Sequence, residues 1–164
     1  MKQSELDHVL NQHELWLRTD GSQGAEADLA GARLFNADLR DANLRNANLS
    51  AAFMAGADLS GADLTAANMK GADLTAANLT RANLSDATLS GAYLRDANLT
   101  AANLDSADLD GAILHGADLT GTYRRGTNMR GADLDGAIGL EESAASRKRK
   151  LLEARIRRAI NRIL

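Results

Sequence analysis

The sequence predicts an all-β solenoid, a coil of five-residue edges closed by a helix at each end. Three observations carry this: an unbroken five-residue register, a small and a large apolar residue two apart in each unit, and helical periodicity confined to the two ends.

Residues 27–136 divide into 22 consecutive pentads without insertion. The central residue is Leu or Met in 21 of them, the residue two before it is Ala in 20, and the residue between is Asp or Asn in 16. A single long helix is rejected, because five residues at 100° each advance the side chain by about 140° net and would scatter the leucines around the axis. Asn, Asp, Thr and Gly, which fill most other positions, are also weak helix formers. In an extended segment, side chains two apart share a side and the one between points away. Ala and Leu therefore face inward, and Asp or Asn outward. The last two positions are mostly Gly, Ser, Thr, Asp and Ala, residues suited to turning the chain. Each pentad is an edge and a corner. Four edges make a square coil of 20 residues, stacking Leu29, Leu49, Met69, Leu89, Leu109 and Met129 in one column. At ~4.8 Å between coils the stack is about 26 Å long.

The units Ala57-Asp58-Leu59-Ser60-Gly61, Ala62-Asp63-Leu64-Thr65-Ala66 and Ala72-Asp73-Leu74-Thr75-Ala76 carry the A(D/N)LXX signature, and the chain here resembles the pentapeptide-repeat family over about two-thirds of its length. The resemblance implies a right-handed, four-sided β-helix. It also brings in a function, since some relatives imitate duplex DNA toward type II topoisomerases.

A solenoid exposes its stacked core at both ends and needs caps. In the N-terminal segment, residues 1–24, Ser4-Glu5-Leu6-Asp7 reads as a capping-box start with Asp in the Glu/Gln position. Leu6, Val9, Leu10, His13 and Leu17 follow at helical spacing until Gly21, with Trp16 expected to seal the first coil alongside Leu10 and Leu17. In the C-terminal segment, residues 141–164, the spacing of Leu152, Ile156, Ile160 and Ile163 predicts an amphipathic helix flanked by Arg155, Arg158 and Arg162. Its apolar stripe needs burial, which makes it a candidate homodimer interface, while its basic face is a candidate contact for nucleic acid or an acidic membrane. Charge divides along the same lines. Residues 25–140 hold nine bases and fifteen acids (net −6), whereas residues 141–164 hold eight bases and three acids (net +5).

No catalytic, cofactor or metal site stands out. His8, His13 and His115 are the only histidines, none sits at metal-ligand spacing, and there is no Cys. The absence of Cys fits a reducing, cytoplasmic compartment, and no apolar run reaches membrane-spanning length. The sites that remain are breaks in the Asp/Asn rule. Arg33, Phe53, Tyr93 and Ile113 share one outward column with Asp73 and Asp133, and Phe35 and His115 lie beside it. Phe35, Phe53, Tyr93 and Ile113 form the candidate interaction face. Arg124 occupies an inward slot between Thr122 and Thr127, where a distorted edge or bulge is expected.

These features point to a non-enzymatic scaffold that binds a protein partner and no small-molecule substrate. A DNA mimic acting on DNA gyrase or a related topoisomerase is the alternative. Duplex DNA shows about 15 negative charges over 26 Å, against the net −6 of the solenoid segment. Asp38, Asp58 and Asp118 alone supply acids in the column that continues through Asn78 and Asn98, so the charge density favours the scaffold.

The inward assignment makes a direct prediction. Leu84→Ala should leave a cavity costing about 2–5 kcal/mol, and Thr80→Ala, at a corner, far less. Equal denaturation midpoints for the two variants would show that the central residue does not face inward.

Overall fold

The structure, a computed structural model, describes residues 1–140. The expected C-terminal helix, with Leu152, Ile156, Ile160, Ile163 and the arginines at 155, 158 and 162, lies outside the described residues.

Residues from Ala27 onward form a continuous four-edged coil in which every outward residue pairs in parallel with the residue 20 positions on, from Asp28 with Asn48 to Asp118 with Ile138. The register holds because a pentad that keeps its outward Asp or Asn and lies between two coils leaves no N–H idle. In the pentad 77–81, Ala77 N–H closes the corner on the Leu74 carbonyl at 3.0 Å. Asn78 N–H reaches down to Ala57, while Leu79 and Arg81 N–H reach up to Asn98 and Thr100. The fifth donor, Thr80 N–H, is taken by the Asn78 side chain at 3.2 Å. This last bond is an Asx turn. All 16 outward Asp and Asn residues make it, accepting from the N–H two residues on. The Asp/Asn rule thus satisfies a backbone donor that neither the corner nor the neighbouring coils can reach.

The corners add a second constraint. The last residue of every pentad has positive φ, between +53° and +74°, as the third position of a type II turn requires. Gly, Asn and Asp hold most of these positions, and Ala51, Ala66, Ala76, Arg81, Ala101 and Ser106 adopt the same conformation without that ease.

Leu29, Leu49, Met69, Leu89 and Leu109 are buried as a stack, and the inward Ala and Leu from Ala47 to Leu119 are all inaccessible to solvent. Met129, the sixth member, is half-buried, as are Ala132, Leu134 and Ala137 around it in the last coil. The edge at Arg124 does not bulge: Tyr123 pairs with Asn103 in the regular register. Arg124 instead extends its guanidinium to the Gly139 carbonyl at 3.1 Å, and Thr122 and Thr127 bond the Leu119 and Leu104 carbonyls. The polar inward residues of this coil thereby satisfy main-chain acceptors in the last of the described coils.

Helix α1 runs from Gln3 to Arg18 and lies over the first coil. Its N-cap is Lys2, two residues before the expected Ser4. Glu5 accepts the Lys2 N–H at 3.0 Å, and Asp7 takes the Gln3 amide at 2.9 Å rather than closing a capping box. Leu6 is buried in the solenoid core, with Val9 and Leu10 packed against it. Trp16 and Leu17, expected at the seal, are only half-buried. The ring of Trp16 instead stacks on His13, centroids 5.8 Å apart. His13 is the completely buried polar residue of this junction. Its Nδ1 accepts the Ala27 N–H at 3.0 Å and its Nε2 lies 3.0 Å from the Arg45 carbonyl, so the neutral Nε2–H tautomer fits both partners. Gly24 permits the helix to sit this close, since a Cβ there would collide with the Gln12 carbonyl oxygen.

Burial holds the His13 pKa below its ordinary 6.5, outweighing the Arg45 carbonyl and the Glu26 and Glu14 carboxylates, which raise it. With the folded-state pKa depressed, the unfolded chain binds the proton more readily. The contribution of His13 to stability is complete above about pH 6.5 and declines as pH falls below that value toward the folded-state pKa. Between pH 7.5 and 5.5, where carboxylates stay ionised, the Ala27 amide of the native chain should lose protection, its exchange slowing less than the base-catalysed intrinsic rate does. His13→Gln should lose most of that pH dependence. Identical protection at both pH values in the native chain would contradict the buried neutral histidine.

Candidate interaction face

The column Arg33, Phe53, Asp73, Tyr93, Ile113 and Asp133 is one face of the solenoid, each member paired with the next across a coil boundary. Phe35, Phe53 and Tyr93 are 46%, 45% and 50% exposed, and Ile113 is half-buried. The structure therefore brings the four expected face residues onto one surface. Phe35 and Phe53 touch across adjacent coils, centroids 5.9 Å apart, and the Arg33 guanidinium lies 5.8 Å over the Phe35 ring. Further along, a groove of about 290 Å³ runs between Phe53 and Tyr93 over Asp73, with Ala51, Gly71 and Thr75 completing its walls. His115 and Asp135 lie 3.7 Å apart at the far corner.

Where Arg33, Phe53, Tyr93 and Ile113 replace Asp or Asn, the Asx bond is lost. The N–H groups of Phe35, Ala55, Arg95 and His115 find no acceptor among the described residues. The face is thus apolar and also offers free main-chain donors. No sequence pattern marks those donors until the role of the Asx residue is known. Ile138, 57% exposed, lies on a neighbouring face, and Tyr123, 65% exposed, on the opposite one.

The acidic column behaves differently. Arg40 grips Asp38 through bonds of 2.8 and 2.6 Å and holds its carboxyl down at about 2. Hydrogen bonds from Ser60 and Thr120 lower the Asp58 and Asp118 carboxyls in turn. Asp63 lies 3.9 Å from Arg45, and Asp105 bonds Arg125 at 2.9 Å. Asp38, Asp63 and Asp105, on two of the four sides, are therefore held in local ion pairs. Among the described residues no group of acidic and histidine side chains could hold a metal ion.

A parallel four-edged coil with Asx-closed corners defines a repeat solenoid built for surface rather than for a cavity. The pentapeptide repeat family matches in eight copies over residues 27–65, 42–81, 82–121 and 112–138, and the chain belongs to that family. Among solved structures it is similar to the pentapeptide repeat protein Rfr23 from the cyanobacterium Cyanothece 51142, at 38% identity over 52% of this chain and 58% of that one, with a TM-score of 0.51. It is also similar to a trypsin-treated form of QnrB1, a plasmid-mediated fluoroquinolone resistance protein, at 25% identity over 68% of this chain and 59% of that one, with a TM-score of 0.58. The chain spans less than three-fifths of either protein. No curated protein sequence matches it.

If the face residues displace a structural bond, restoring that bond should stabilise the fold. Tyr93→Asn gives the Arg95 N–H an acceptor and removes a half-exposed ring, so a gain of about 0.5–1 kcal/mol is expected in urea denaturation. A loss of stability would mean that the ring, rather than the missing Asx bond, dominates at this position.

Proposed function

We propose that the chain is a non-enzymatic scaffold that binds a protein partner through the face of Phe35, Phe53, Tyr93 and Ile113. The observation that carries this is the replacement of a stabilising Asx residue by an exposed aromatic at Phe53 and again at Tyr93, two coils away in one column. Exposed apolar groups in contiguous patches mark association surfaces, and aromatic residues are enriched in the hot spots of such surfaces. A rigid coil presents them in fixed register, so little ordering entropy is lost on docking. The working residues are those that depart from the repeat, and none is an acid, base and nucleophile set of the kind turnover requires.

The similarity to QnrB1 supports a second reading, in which the solenoid imitates DNA toward a type II topoisomerase. The neutralisation of Asp38 by Arg40 and the net −6 of residues 25–140 weigh against it.

The two readings separate in one pair of measurements. A photo-cross-linker at position 53 should join the chain to one protein of defined mass in an extract of its source, and Tyr93→Asp should abolish the adduct. A cross-linker at position 78, on the next face, should give none, and gyrase supercoiling should be unaffected at micromolar protein. Identical adducts from both positions would sink the scaffold face, and inhibited supercoiling would establish the second reading.

A further inference from the structure

We propose that the groove between Phe53 and Tyr93 is a binding site for a single arginine side chain presented by an extended segment of the protein partner. The proposal rests on the scaffold reading for its partner and on the groove itself for its chemistry.

Phe53 and Tyr93 are two coils apart, about 10 Å at ~4.8 Å per coil, with Asp73 between them in the same column. Two rings facing a planar group need about 7 Å between them, so the aromatic pair closes on a guanidinium by a modest tilt, whereas a bulky apolar side chain would meet the carboxylate. Asp73 is suited to receive that cation. Its Oδ1 accepts the Thr75 N–H at 3.1 Å, which fixes the carboxylate, and its Oδ2 has no partner among the described residues. Arg95, at the adjoining corner, makes no ion pair with it among those residues. The same face already holds one guanidinium on an aromatic ring, Arg33 on Phe35 at 5.8 Å. A planar, delocalised cation stacks and pairs with a carboxylate at once, which the compact ammonium of lysine does poorly.

The surroundings of the groove indicate that the arginine arrives on a peptide. Ala55 and Arg95 follow Phe53 and Tyr93 at their corners, and their N–H groups have no acceptor among the described residues. They lie two coils apart, about 10 Å, which one three-residue turn of polyproline II spans at ~3.1 Å per residue. An extended segment in that conformation running along the column would place carbonyls three residues apart at both donors and the side chain of a middle residue over Asp73. Main-chain bonds would then supply affinity, and the slot would select arginine.

The chain contains two Phe and two Tyr, so the ring resonances of Phe53 and Tyr93 are resolvable by NMR, with Tyr123 as an internal reference on another face. The full-length protein is titrated with N-acetyl-arginine amide, N-acetyl-lysine amide and the neutral isostere N-acetyl-citrulline amide. The arginine compound should shift the Phe53 and Tyr93 rings saturably and leave Tyr123 in place. The lysine compound should bind at least threefold more weakly, and the citrulline compound should cause no shift. Asp73→Asn retains the acceptor for Thr75 and matches the repeat, so it preserves the fold while weakening arginine binding at least tenfold. Tyr93→Ala should do the same, and Tyr93→Phe should bind as the native chain does. Equal binding of citrulline, or native affinity in Asp73→Asn, overturns the proposal. Saturation seen only after Arg147 and Arg149 are changed to Gln would assign the slot to the chain's own basic segment and would also overturn it. Because the probes are single amino acids, their failure leaves the cross-linking result at position 53 standing on its own.

Discussion

Each pentad has five backbone donors, and the fold follows from where the fifth one goes. A corner bond and three bonds between coils account for four of them. The last points out of the edge, beyond the reach of any main-chain carbonyl, and a short side-chain acceptor two residues earlier meets it, except at Arg125, where Asp105 of the adjacent coil does so. Asp and Asn satisfy this geometry, and Leu and Ala fill the tube that results. The coil is held by a narrow Leu and Ala core together with near-complete satisfaction of its main chain, which suits a chain with 3% aromatic residues.

Function is then written against that background. A residue that keeps the Asx bond is structural whatever its charge. One that gives the bond up must compensate elsewhere or serve another purpose. Arg33, Phe53, Tyr93 and Ile113 give it up in one column, whereas Thr88 and Tyr123 each give it up alone on a side whose other outward residues in the pentads keep it, Asp105 serving the Arg125 N–H in place of Tyr123. On the proposed reading, stability and recognition are opposed at single positions, as happens where a binding site sits on an otherwise optimised scaffold.

The coil was legible in the sequence because its period is short and its side-chain alternation strict. Twenty-two repetitions of one rule leave no competing register, and Leu29 through Leu109 stack as the spacing requires. The ends were read less well because nothing there repeats. Trp16 attracted the cap assignment by its size, yet Leu6 and His13 make the seal, since burial at the helix–coil junction follows helix phase and the position of the Ala27 amide. Arg124 suggested a bulge because a charge occupied an inward slot. In the last of the described coils a long side chain in that slot turns back to the Gly139 carbonyl without disturbing the edge. The column of face residues was visible as a pattern, but its free N–H groups were not, because they appear only when every donor is traced to its acceptor.

The pairing of each outward residue with the one 20 positions on also sets the quantum in which such a chain can change length. Loss or gain of one pentad keeps every corner and every inward leucine, yet it turns all later residues by a quarter of the circumference. Such an event between Phe53 and Tyr93 would place the two rings on different sides of the rod without disturbing the packing around them. Only a whole coil, added or removed, preserves what faces what. Surfaces on this scaffold are therefore inherited in steps of four repeats, although the fold itself tolerates steps of one.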